Sequence, residues 1–280
     1  MCDEIKLTYS SFNLYGKCPQ AYKYRYVEGI GNLKKDTPAN ALRFGSIVHA
    51  GLERIWKGVE IDRVIAEVCE GFEVDQNDTS DKGIEDLKAL ACVRKYAATW
   101  QAVDAEKYTA VETEVPWELK NFKGQVDGVI TDKSTGKRVL LEHKTAARVD
   151  DDYFAVKLQM DLQIRIYCKA MKCDKVLYDV IKKPMVRQRK DEAPESFIER
   201  YYEAVEFERR EFDVSKPMIK EAEKEMNAVL KCIKKGDFTP CRSSCHDCEY
   251  LGLCTGAKDA TNYETYICHS EVKNDGRNAN

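Results

Sequence analysis

Two rhythms of apolar and polar positions run along the chain. A period of three to four residues dominates the first hundred. Ala41–Lys57 carries Phe44, Val48, Leu52 and Ile55 on one stripe, and Asp62–Phe72 continues in the same rhythm. Gly83–Glu106 turns Leu87, Leu90, Ala91, Tyr96 and Trp100 inward. Ahead of these, Thr8–Gly16 reads as a short helix capped by Ser10 or Ser11. Cys18-Pro19 opens another, because proline fits the first helical position. Leu33–Asn40 and Asn77–Lys82 read as loops.

From Tyr108 the period shortens toward two. Tyr108–Leu119, Phe122–Thr131 and Arg138–Lys144 read as strands, the last two joined by the turn Asp132–Gly136. Asp152–Met171 is expected to be a helix. Asp174–Lys183 and Phe197–Phe207, rich in Val, Ile, Tyr and Phe, read as strands. Ser215–Lys235 reads as a helix, and Lys273–Asn280 as a polar, frayed tail. The order predicts an α/β or α+β domain with helices covering a small mixed sheet.

Composition narrows the function classes. The net charge of −3 gives no global basic field, so any contact with nucleic acid must use a local lining. No apolar run approaches a membrane span and the opening residues lack a signal-peptide core, which points to the cytosol. Twelve cysteines in that compartment favour reduced thiols, some on a metal, over disulfides.

The chemistry gathers at one end of the expected hairpin. Residues alternate faces along a strand, so Glu142 and Lys144 share a face and His143 points away. Asp127 on the neighbouring strand can join them. Two carboxylates repel, a hard divalent cation resolves the repulsion, and a lysine beside it can position a water and offset charge on a phosphate. That set suits metal-assisted hydrolysis of a phosphodiester. The spacing D-x14-E-x-K is common, so an exposed hairpin with solvated charges competes with this reading.

Elsewhere, Tyr22, Lys23, Tyr24, Arg25 and Tyr26 could stack on bases and hold phosphates, or pack into a core. Arg43, Lys123 and Thr145 could touch phosphates or simply face water. Gln163 and Tyr167 stand one turn apart on a helix. His143, His246 and His269 read as structural or surface residues. Cys241, Cys245, Cys248 and Cys254 crowd one stretch at ligand spacing. They suit a local zinc site, or an iron–sulfur cluster that recruits a distant ligand such as Cys18. Cys18 starts a helix, where a thiolate is favoured.

Several segments together resemble a family. SSFNLYGKCPQAYKYRY, FGSIVHAGLE, GQVDGVI, LLEHKT and DLQIRIY occur in order, followed by Cys245-x2-Cys248-x5-Cys254. The chain resembles the RecB-like branch of the PD-(D/E)xK nucleases in its iron–sulfur form, similar to the AddB nuclease domain and the CRISPR-associated adaptation nucleases. The resemblance spans about Ser10 to Cys254. Val126 stands where the superfamily name has proline, and Cys241 is an additional cysteine near the cluster positions.

The resemblance implies a restriction-endonuclease-like α/β core in a single nuclease domain over 1–280. Within it, 1–107 would be mainly helical, 108–212 the nuclease core, 213–256 the C-terminal helix and cysteines, and 257–280 a tail. It implies a metal site of His49, Asp127 and Glu142 taking Mg²⁺ or Mn²⁺, with Asp127, Glu142, Lys144, Gln163 and Tyr167 catalytic. It implies a 4Fe–4S cluster on Cys18, Cys245, Cys248 and Cys254 that staples the N-terminal helices to the C-terminal segment. Tyr22, Arg25, Arg43 and Thr145 would contact nucleic acid. The expected activity is a Mg/Mn-dependent deoxyribonuclease in the cytoplasm of a bacterium, archaeon or phage-infected host. It would be an exonuclease on single-stranded DNA ends, in recombination, repair or phage DNA processing. The alternatives are a CRISPR-adaptation-type nuclease acting with a partner protein, a non-catalytic iron–sulfur DNA-binding module, and a zinc-stabilised interaction protein.

Overall fold

The computed structural model describes residues 5–33, 40–147, 156–158 and 160–265. In chain order its elements are α1 (Tyr9–Lys17), α2 (Pro19–Tyr22), β1 (Ile30–Leu33), α3 (Asn40–Trp56), α4 (Ile61–Phe72), α5 (Asp81–Tyr96), α6 (Ala102–Lys107), β2 (Tyr108–Leu119), β3 (Phe122–Asp132), β4 (Arg138–Ala146), α7 (Leu162–Met171), β5 (Lys175–Lys182), α8 (Pro194–Glu203), β6 (Glu206–Asp213), α9 (Lys216–Lys234), α10 (Leu251–Thr255) and β7 (Tyr263–Thr265). Two compact units result. One draws on 39–117 and 125–219, the other on 1–38, 118–124 and 220–280.

A mixed sheet in the order β2-β3-β4-β5-β6 is flanked by helices, the α/β class that the pattern predicts. β3 and β4 are antiparallel, with Gly128 opposite Leu141 and Thr131 opposite Arg138. Their turn closes because the Asp132 carboxylate accepts the N–H groups of Ser134 and Thr135, both at 2.9 Å. Gly136 there has φ +66°, which glycine adopts without penalty. β4 and β5 are parallel, Glu142 beside Tyr178 and His143 beside Asp179. Parallel neighbours need a crossover, and the connection between them carries α7. Val139–Leu141 and Val176–Tyr178 are buried without alternation, as central strands covered on both faces require.

In the same unit, the stripe Phe44, Val48, Leu52 and Ile55 of α3 packs with Val64, Ile65 and Val68 of α4 and Leu90, Val93 and Tyr96 of α5. α3 and α5 approach closely at Gly51, where a Cβ would lie 2.5 Å from the Val93 side chain.

The other unit joins the N-terminal helices to the C-terminal segment. Thr8, not Ser10 or Ser11, caps α1, in a reciprocal box with Ser11. Cys18 is the residue before α2, Pro19 takes its first position, and the helix continues as a π-helix over Lys23–Val27. Tyr15 donates to the Asp237 carbonyl at 2.6 Å, and Tyr250 to the Ile30 carbonyl at 3.0 Å. β1 and β7 form an antiparallel ribbon that the periodicity does not reveal.

Two expectations change. Residues 197–207 are not one strand. Pro194 starts α8, and Phe197 and Tyr201, one turn apart, are both buried on its inner face. Their β-propensity reflects an aromatic side chain seeking cover, which a helix face supplies equally well. The strand follows as β6, EFERREFD, whose charges suit an edge and hide it from a search for apolar alternation. The helix expected over Asp152–Met171 is interrupted: residues 156–158 are helical, and α7 begins after Asp161, whose carboxylate caps it. Residues 152–155 and 159 of that expectation, 34–39 of the loop expected over Leu33–Asn40, Cys2, Cys268, His269 and the 273–280 tail lie outside the described residues.

Gly51→Ala should force the two helices apart and cost about 1–3 kcal/mol. A urea midpoint that falls at constant slope is the expected reading. An unchanged midpoint would mean that α3 and α5 do not meet there.

Candidate active site

Asp127 on β3, Glu142, His143 and Lys144 on β4, and His49 on α3 meet at one place. The His49 Nδ1 lies 3.4 Å from Asp127 Oδ1. Asp127 Oδ2 accepts the main-chain N–H of His143 at 2.8 Å. Lys144 forms an ion pair with Glu142. As strand alternation requires, His143 faces the other way, toward Trp56 and Tyr96.

Electrostatics differ sharply between the two carboxylates. Burial acts to raise the Asp127 pKa. The charge of His49 and hydrogen bonds from His143 and His49 outweigh it and hold the group well below the usual carboxylate range. At Glu142 burial dominates. It pushes the carboxyl up to about 7, with Lys144 opposing the rise and Asp127 adding to it. Burial acts to lower the Lys144 ammonium, but the Glu142 and Asp127 charges reverse this and raise it. Glu142 is 2% exposed and Lys144 38%, so the lysine is the member of the pair that reaches the surface.

Gln163 and Tyr167 come together as their spacing suggests, the Gln163 amide donating to the Tyr167 hydroxyl at 2.9 Å. The Tyr167 phenol is raised first by burial and next by Glu142, so this pair borders the carboxylates. Thr145 follows on β4, half-buried. Arg43 is otherwise employed. Its guanidinium makes two 2.8 Å bonds to Asp86 on α5 and one of 2.6 Å to the Phe72 carbonyl, which binds helix to helix and does not offer the fork to phosphate.

In the other unit, Tyr22 is 4% exposed and packs against Tyr15, Tyr26 and Phe238, leaving no free face for a base. Arg25 donates to Asn32 at 2.8 Å and lies 3.7 Å from Glu249. Cys18 packs in a small core with Tyr250 and Tyr263, against which Cys241 and Cys248 also lie. Burial raises the Cys248 thiol, and after the Tyr250 main chain the next influences on it are Cys18, Cys254 and Cys245. Cys18 Sγ accepts the Cys241 N–H at 3.4 Å, whereas the Cys241 sulfur turns to the Ser243 hydroxyl at 3.1 Å.

Among the described residues, no group of three or more His, Cys, Asp or Glu side chains is already arranged as a metal site. The donor chemistry nonetheless fits. Two carboxylates and an imidazole suit Mg²⁺ or Mn²⁺, and four thiols suit iron–sulfur or zinc.

A buried network that sequence spacing does not signal lies behind the hairpin. Arg209 on β6 grips Asp179 on β5 at 2.6 and 2.7 Å and Asp104 on α6 at 2.6 and 3.0 Å. Tyr96 donates to Asp179 at 2.7 Å. Its members come from elements far apart in the chain, so no motif connects them.

A sequence model of the PD-(D/E)XK nuclease superfamily matches residues 6–255. No curated protein matches the chain. Among solved structures, a candidate exonuclease from Eubacterium rectale is 13% identical, with a TM-score of 0.42 over 88% of this chain and 89% of that one. A phage-related exonuclease from Haemophilus somnus 129PT is 13% identical, with a TM-score of 0.31 over 64% and 85%. An alkaline exonuclease from Laribacter hongkongensis is 10% identical, with a TM-score of 0.29 over 64% and 88%.

Arg209→Met would leave Asp104 and Asp179 buried without their counter-charge. The expected loss is about 3–5 kcal/mol of stability, read by urea denaturation. A loss under about 1 kcal/mol would show that the two carboxylates are not held by this arginine.

Proposed function

The chain belongs to the PD-(D/E)XK nuclease superfamily, and on that premise we propose that it is a metal-dependent deoxyribonuclease of the RecB-like, iron–sulfur form, acting as an exonuclease on single-stranded DNA ends. The observation that carries the reading is the meeting of Asp127, Glu142, Lys144 and His49 at one end of the β3–β4 hairpin, bordered by Gln163 and Tyr167. The whole chain is read as one nuclease domain.

His49, Asp127 and Glu142 would hold the divalent cation. Polarisation of a phosphoryl oxygen and a lowered pKa for the attacking water are the chemistry such an ion supplies when bound. Lys144, half-exposed and tethered by Glu142, presents a permanent positive charge to the scissile phosphate and stabilises the charge that develops there. Tyr167, held by Gln163, limits where Glu142 and Lys144 can move. Cys18, Cys245, Cys248 and Cys254 would carry the 4Fe–4S cluster as a structural group, because hydrolysis needs no redox step. The proximity of Cys18 to the C-terminal thiols supports Cys18 over Cys241 as the fourth ligand.

Protein purified without oxygen should be brown and contain iron, and with Mn²⁺ it should shorten end-labelled single-stranded DNA. Lys144→Ala should cut at least about 100-fold more slowly with unchanged iron content. A colourless zinc protein would remove the cluster, and cleavage indifferent to Lys144→Ala would remove the catalytic assignment.

The Glu142 pKa of about 7 gives a second expectation. A raised carboxyl is protonated below that pH and cannot ligate, so cation affinity rises with pH up to about 7 and then levels. Calorimetric Mn²⁺ affinity should be about tenfold weaker at pH 6 than at pH 8, and Glu142→Gln should reduce that dependence to what the His49 ligand contributes. A pH-independent affinity in the wild type would take Glu142 out of the site.

A further inference from the structure

His143 sits between Glu142 and Lys144 in sequence, yet the proposed chemistry leaves its ring unused. The ring is 3% exposed. The Trp56 indole N–H is shared between its Nε2, at 3.2 Å, and the Tyr96 oxygen, at 3.1 Å. An indole only donates, so the nitrogen that it meets must accept, and the ring's proton belongs on Nδ1. Nδ1 lies 3.7 Å from Asp127 Oδ2, the same oxygen that takes the His143 main-chain N–H at 2.8 Å. The other oxygen, Oδ1, is left facing His49.

The groups around the ring enforce this arrangement. The rival acceptors for a proton on Nε2 are Asp179 Oδ2, 4.0 Å away, which already accepts from Tyr96 and Arg209 at 2.7 Å, and the Tyr96 oxygen, 3.5 Å away, which already accepts from Trp56 and Arg209 at 3.1 Å. The Tyr96 hydroxyl, 3.5 Å from Nε2, gives its proton to Asp179 and not to the ring. Tyr96 and Asp179 are buried, and the Arg209 side chain is 14% exposed.

We propose that His143 is a positioning residue. Its ring N–H and main-chain N–H both address Oδ2 of Asp127, so the carboxylate is fixed with Oδ1 presented to the metal site, and the Arg209–Asp179–Tyr96 network with Trp56 holds the ring in the tautomer that does this. The consequence for cleavage rests on the nuclease reading; the tautomer does not.

Two measurements test it. Nitrogen-15 NMR of histidine-labelled protein, with the His143→Asn spectrum identifying the resonance, should find the proton on Nδ1. A proton on Nε2 overturns the proposal. Next, His143→Asn keeps a side-chain N–H where Nδ1 stood, whereas His143→Gln reaches Trp56 but places no donor at Asp127. His143→Gln should bind Mn²⁺ about 10- to 100-fold more weakly than wild type, and His143→Asn within about threefold of it, matching outer-partner effects at metal sites. Cleavage rates should follow the same order, while His143→Gln should melt at the higher temperature of the two. Equal Mn²⁺ affinities, or affinities that track melting temperature, overturn positioning and leave only a structural role. If the wild type neither binds Mn²⁺ nor cuts DNA, the nuclease reading falls, and the tautomer measurement still decides what His143 does.

Discussion

Two carboxylates in one hairpin, Glu142 buried and Asp127 largely covered, set the terms for the structure around them. A buried charge costs several kcal/mol unless it is paired and hydrogen-bonded. Asp127 meets this demand with His49 and the His143 main chain, Glu142 with Lys144. Each solution constrains the fold. His49 reaches Asp127 only if α3 lies against the hairpin, and α3 can lie there because its apolar stripe packs on α4 and α5. Lys144 and Glu142 share a face because they stand two apart on a strand, and that face meets Asp127 only while β4 stays in register, which the capped turn and the parallel partner β5 maintain. The same arrangement leaves the carboxylates unequal, one firmly ionised and one poised near neutrality.

What could be read from the sequence follows from what kind of signal each element leaves. β2, β3 and β4 are rich in strand-forming residues, and β3 and β4 are joined by an Asp-to-Gly turn cluster, so their limits were legible almost to the residue. So was the pairing of Gln163 with Tyr167, because helix geometry alone brings positions i and i+4 together. Phe197 and Tyr201 misled because an aromatic side chain reports the need for burial, not the backbone that provides it. β6 was hidden by its charges. Tyr22 and Arg43 looked like nucleic-acid contacts by type, and the fold gives one to a core and the other to Asp86. The Arg209 network was beyond reach because it exists only once α5, α6, β5 and β6 are side by side.

The cysteine unit follows a different logic. Its core is small, built of Cys18, Ala21, Tyr250 and Tyr263, with Tyr250 stacked on Tyr263 and meeting Tyr24 of the N-terminal segment at 5.7 Å. A few aromatic contacts stabilise a segment that has little apolar surface of its own to bury. Cys18 and Cys241, more than two hundred residues apart in the chain, meet there through the Cys241 N–H, which Cys18 Sγ accepts at 3.4 Å.

The central claim is that His49, Asp127 and Glu142 form the site of a divalent cation. Anomalous diffraction at the manganese edge, from crystals grown with Mn²⁺ and a non-hydrolysable single-stranded oligonucleotide, tests it directly. The account predicts a manganese peak in contact with these three side chains and a phosphate oxygen beside Lys144. A peak that avoids Asp127 and Glu142, or a phosphate bound away from Lys144, would contradict it.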